Sequence, residues 1–63
     1  MSEEVIYRVC FYLTIDDVDF IAYSPQCGYQ KAIELLSIVS EKNKDAYIEA
    51  KNFRINDVWY RID

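Results

Sequence analysis

A two-layer α+β fold in the order ββαββ, with one helix across one face of a four-stranded antiparallel sheet, is predicted by three features of the sequence. Apolar residues fall on every second position from Val5 to Ile15, and the same period recurs from Val18 to Tyr23. The spacing then changes to three and four, and β-like segments return after Asp45. Strand pairs on either side of a single helix give that helix one sheet face to cover, which is the two-layer solution.

The first strand is carried by Val5, Tyr7, Val9, Phe11, Leu13 and Ile15, one whole face of a core. Asp16 and Asp17 interrupt it, and aspartate favours turns by hydrogen bonding its own backbone, so "IDDVD" reads as a hairpin connection. Val18, Phe20 and Ala22 are then expected in the same core. In "SPQCGYQKAIELLSIVSEKNK" the stripe of a helix runs through Tyr29, Ala32, Ile33, Leu36 and Val39, widened by Leu35 and Ile38. Ser24 and Pro25 fit an N-cap and a first helical position, while Gly28 allows a later start near Tyr29. Asn43 suits the left-handed conformation that ends helices, and Lys42 and Lys44 suit the negative end of the macrodipole. "AYIEAKNF" and "VWYRI" form the last two strands, joined through "RIND"; Val58, Tyr60 and Ile62 point to the core and Trp59 and Arg61 away from it.

Length and composition exclude several classes. A chain of 63 residues has room for one domain, residues 1–63, and buries only roughly 60% of its unfolded surface, so a further source of burial is expected. With 52% apolar residues, one Gly and one Pro, the chain is neither disordered nor loop-rich. A net charge of −4 repels a phosphate backbone as a whole. "MSEEVIYRVC" places acids where an export signal has cations, and no apolar run approaches the ~20 residues of a membrane span, so a cytoplasmic protein is expected. Cys10 and Cys27 do not form a C-x-x-C pattern and read as reduced, mostly buried thiols. The chain has no histidine, and neither Ser24, Ser37 and Ser40 nor Cys27 is accompanied by a base; no enzyme activity and no cofactor are expected.

The second set of strand side chains raises the functional question. On the face turned from the helix the alternation places Ile6, Arg8, Cys10, Tyr12 and Thr14, then Ile21 and Tyr23, then Trp59 and Arg61. Water covers such a face in an ordinary two-layer domain, which asks for polar residues. Burying Ile6, Tyr12, Ile21, Tyr23 and Trp59 represents on the order of 10 kcal/mol, comparable with the whole stability of a small domain. Trp, Tyr and Arg are enriched at interface centres, so Tyr12, Tyr23, Trp59 and Arg61, with Arg8, Ile6 and Ile21, are the candidate partner-binding residues. Two sheets packed back to back in a homodimer would cover them, closed homodimers being the commonest assemblies.

Two further constellations bear on function. Asp16, Asp17 and Asp19 gather three carboxylates at a hairpin tip but lack the Gly and bidentate Glu of a calcium loop; they read as a docking point that speeds association with a basic partner, not as a metal site. Arginines among Tyr12, Tyr23 and Trp59 also fit the alternative of a single-stranded nucleic-acid-binding module, in which rings stack on bases and arginines hold phosphates.

In size, acidity and richness in Tyr and Ile, the whole chain resembles small accessory proteins encoded by bacterial viruses, many of which inhibit a host enzyme or a defence system by direct binding. The resemblance implies a stoichiometric, non-catalytic inhibitor working in the cytoplasm of a bacterial host. The expected function is therefore that of a homodimeric protein-binding module that inhibits or modulates another protein.

Overall fold

The computed structural model describes residues 4–62 and contains, in order, β1 (Val5–Ile15), β2 (Val18–Tyr23), α1 (Tyr29–Val39), β3 (Tyr47–Asn52) and β4 (Tyr60–Ile62). The strands form one antiparallel sheet in the order β2-β1-β3-β4, and α1 packs on β1 and β3. The predicted α+β architecture is the observed one.

The core is small. Val9 from β1, Ala32 from α1 and Ile48 from β3 are buried at its centre, flanked by Tyr7, Phe11, Leu35, Leu36, Val39 and Ile62. Ala32 lets the helix approach closely, and Tyr29 closes its first turn against Tyr7, the two ring centroids 5.2 Å apart.

The sheet is staggered about Cys10. Residues Val5 to Cys10 of β1 pair with β3, whereas Cys10 to Ile15 pair with β2. An 11-residue strand is about 37 Å long and an 11-residue helix about 16 Å, so α1 can cover less than half of β1. Beyond Phe11 the β1–β2 hairpin continues alone, as a two-stranded arm that accounts for the molecule's 43 Å length against widths of 21 and 18 Å. This corrects one sequence expectation. Leu13, Ile15, Val18 and Phe20 have the alternation of core residues but stand past the end of the helix, 38%, 53%, 58% and 42% exposed.

Other local expectations are corrected as well. The helix begins at Tyr29 behind Gly28, without a side-chain cap. Ser24 does not cap it; its Oγ accepts from the Val9 amide at 2.9 Å and donates to the Pro25 carbonyl at 3.0 Å, which splices the end of β2 to β1. Asn43 is not left-handed, and Lys42 and Lys44 lie beyond the helix, whose last carbonyls accept from the amides of residues 40–43. Ile33 and Ile38 are exposed, because the sheet under α1 is only two strands wide. The last strand is shorter than predicted: Val58 is exposed outside it, and Asn52 organises the preceding turn by accepting from the amides of Arg54 and Ile55 through its Oδ1 and from those of Asn56 and Asp57 through its carbonyl.

The turn at the arm's tip is the predicted one in a demanding form. Asp16 and Asp17 both have positive φ, 52° and 66°, the two left-handed residues of a type I′ turn whose twist matches that of the strands. Aspartate tolerates this region better than most residues, but asparagine and glycine suit it more. Replacing Asp16→Asn together with Asp17→Gly is expected to stabilise the protein by about 1 kcal/mol and raise Tm by about 4–8 °C in a thermal melt.

Candidate interaction surface

The helix-free face has two zones. Over the double-paired part of the sheet, Arg8, Glu49 and Arg61 stand side by side on β1, β3 and β4, since Arg8 is opposite Glu49 and Glu49 opposite Arg61. The Nε and Nη2 of Arg8 donate to Glu49 Oε1 at 3.0 and 2.7 Å. The guanidinium carbon of Arg8 lies 3.8 Å from the centre of the Tyr23 ring and 4.0 Å from that of Trp59, so two aromatic rings enclose one cation. Lys51 approaches Trp59 at 5.0 Å while its Nζ pairs with Asp57 at 3.3 Å, and Arg61 lies over Tyr47 at 4.4 Å.

Beneath this layer Cys10 is fully buried, opposite Tyr23 on one side and Tyr47 on the other. Burial, and next the neighbouring Glu49, push its thiol up to about 11. Burial likewise raises the Tyr47 phenol, followed by the effect of Cys10. Cys27 is half-buried, its sulfur 3.7 Å from the Tyr7 carbonyl, so both thiols are free as expected.

The second zone is the arm. Tyr12 and Ile21 pair across it on the helix-free side, with Thr14 opposite Asp19 nearer the tip and the Thr14 hydroxyl donating to Asp19 Oδ1 at 2.6 Å. Leu13, Ile15, Val18 and Phe20 occupy its other side. The arm is therefore apolar along its helix side and, at Tyr12 and Ile21, on the inner half of its helix-free side. Where β3 ends, a hollow of about 560 Å³ opens at its base, lined by Tyr12, Asp19, Lys44, Asp45, Ala46 and Arg61.

The structure divides the predicted site residues accordingly. Arg8, Tyr23, Trp59 and Arg61 come together in the ionic and aromatic layer, with Ile6 and Trp59 half-buried there; Tyr12 and Ile21 belong to the arm, and Asp16, Asp17 and Asp19 to its acidic end. Among the described residues no three of His, Cys, Asp and Glu converge as metal ligands, and no helix is long and apolar enough to cross a membrane. Sequence reasoning missed Glu49, the anchor of Arg8, and the exposed quartet Leu13, Ile15, Val18 and Phe20. The signal for the quartet is the mismatch between an 11-residue strand and an 11-residue helix. No protein family, curated protein or solved structure matches the chain.

The enclosed arginine and the thiol beneath it each carry a prediction. Arg8→Ala leaves Glu49 partly buried without its cation and is expected to cost roughly 3 kcal/mol in urea unfolding, Arg8→Lys somewhat less, and the pair Arg8→Met with Glu49→Met less than Arg8→Ala alone. The raised thiol makes stability pH-dependent: above pH 9 the unfolded thiol loses its proton first, so the native state loses on the order of 2 kcal/mol between pH 9 and 11. Cys10→Ala should flatten that part of the unfolding profile.

Proposed function

We propose that the protein is a non-enzymatic binding module that works as a homodimer and inhibits or modulates another protein by direct contact. The observation that carries this reading is the projecting arm. A lone two-stranded ribbon is marginally stable in water, yet this one exposes Tyr12, Leu13, Ile15, Val18, Phe20 and Ile21 together. An apolar patch of that extent on a small soluble protein marks a place of contact. The acidic tip adds a charge that speeds association with a basic surface and restrains indiscriminate sticking.

Two features favour a protein partner over nucleic acid. The Arg8 guanidinium is held by Glu49, and the Tyr23 and Trp59 rings have one face each against it, so one arginine and two of the three rings that would take phosphates and bases already have partners within the chain. The net charge of −4 opposes a polyanion from further away. The character shared with small inhibitors encoded by bacterial viruses fits the same reading and makes a bacterial enzyme or defence protein the natural class of target.

Light scattering after size exclusion is expected to give about twice the 7.5 kDa chain mass, and the variant Ile21→Asp, a charge placed midway along the exposed edge strand, to give a monomer with an unchanged far-UV spectrum. A wild-type monomer with the same elution, solubility and partners as that variant would refute the reading.

A further inference from the structure

We infer that the arm's first occupant is a second copy of this chain, paired antiparallel along the outer edge of β2 with Ile21 on the two-fold axis. The inference rests on the homodimeric reading above and specifies its interface.

The edge is available and the bonds on it can be assigned. β2 is an outer strand of the sheet, and hydrogen bonds in an antiparallel pair alternate from one side of a strand to the other. Ser24 donates its amide to the Val9 carbonyl at 2.9 Å, so the even residues Val18, Phe20 and Ala22 turn their backbone groups inward to β1. Asp19, Ile21 and Tyr23 consequently turn theirs outward. A two-fold axis at Ile21 is the register that matches all three at once: Ile21 opposite Ile21 of the second copy, and Asp19 opposite its Tyr23 in both directions, for about six ladder bonds.

The side chains agree with that register. Phe20 comes beside the small Ala22 of the second copy, and no two like charges are opposed. The Asp19 carboxylate meets a tyrosine ring that carries the Arg8 cation on its face, 3.8 Å away. The strand's apolar side chains and backbone offer on the order of 500 Å² per copy, at the low end of specific interfaces, which fits a dimer held largely by its ladder bonds.

Long edge strands are usually guarded by lysine, proline or a covering loop. The sequence "VDFIAY" has one charge and none of these. By contrast, the open side of β1 in the arm faces the hollow lined by Lys44 and Asp45 of the α1–β3 connection, with Asp19 of β2 also on its wall; no such connection is paired or bridged to β2 among the described residues. Pairing at β2 joins the two arms into one four-stranded ribbon. Its helix side becomes a continuous apolar floor built twice from Leu13, Ile15, Val18 and Phe20, left for the target protein.

The test separates the interface from the dimer itself. Ile21→Pro removes one outward amide and no inward one, so it should preserve the far-UV spectrum and weaken dimerisation about a hundredfold by sedimentation. Ile21→Cys should form a disulfide-linked dimer on mild oxidation, because the Cα atoms of a hydrogen-bonded pair stand about 5.5 Å apart. Leu13→Cys, on the guarded edge, should not. Wild-type protein that is monomeric at about 100 µM, above the Kd even a small interface supports, would overturn both the dimer and this interface. A dimer that survives Ile21→Pro, or that cross-links through Leu13→Cys and not Ile21→Cys, would overturn the β2 interface alone.

Discussion

The length of β1 governs the rest of the molecule. A strand of 11 residues runs beneath a helix less than half as long, so the chain has one half where three layers of side chains can close a core and another where nothing lies above or below the sheet. The stagger of pairing at Cys10 sharpens the division, since β3 stops where β2 starts. Stability is concentrated in the first half. There Val9, Cys10, Ala32, Ile48 and Ala50 are buried, and no buried polar side-chain atom lacks a partner among the described residues.

The helix-free face of that half is protected by a different means. A strictly apolar outer face would need a partner layer, and a strictly polar one would contribute little burial to a chain this short. The sequence instead places Arg8 between Tyr23 and Trp59 and ties it to Glu49, so that planar groups cover Cys10 while ionic groups meet water. Arginine suits this position because its guanidinium is flat and weakly hydrated, able to stack and donate at the same time. This layer also accounts for the order of the C-terminal strand: Trp59 and Arg61 are held by contacts with Arg8, Lys51 and Tyr47, which anchors a strand of only three residues.

Much of the fold was legible in the residues, and the reason is local. Alternation determined β1 and β2 to the residue, the Asp16-Asp17 pair located the hairpin turn, and the change of period at Tyr29 marked the helix start that Gly28 allowed. What escaped depends on distance in space. Val18 and Phe20 have a core pattern, but alternation states only which side a residue faces and not whether anything is there to face. Val58 fits the alternation of β4 yet is exposed, because the Asn52-centred turn uses the preceding residues and delays the strand to Tyr60. The candidate residues differ in how far the chain itself engages them: Arg8 and Trp59 pack against each other, with Arg8 bonded to Glu49, whereas Tyr12 and Ile21 stand exposed farther along the same hairpin.

An exposed β edge with apolar faces is a hazard as well as an asset, since open-ended strand addition leads to fibres. Three features of this chain favour a closed pair. In the proposed pairing the β2 edge is self-complementary about one residue, so a single two-fold contact would consume it and leave nothing for a third copy. The opposite edge, β4, is three residues long and ends the sheet too soon to act as a template. Finally, the hairpin tip carries Asp16 and Asp17 in strained left-handed positions that glycine and asparagine would fill more comfortably. In a closed antiparallel pair the two tips point in opposite directions and stay apart, whereas parallel stacking of arms would bring the carboxylates together. The strain at the tip is then the cost of a charge placed where it permits one mode of association and opposes the other.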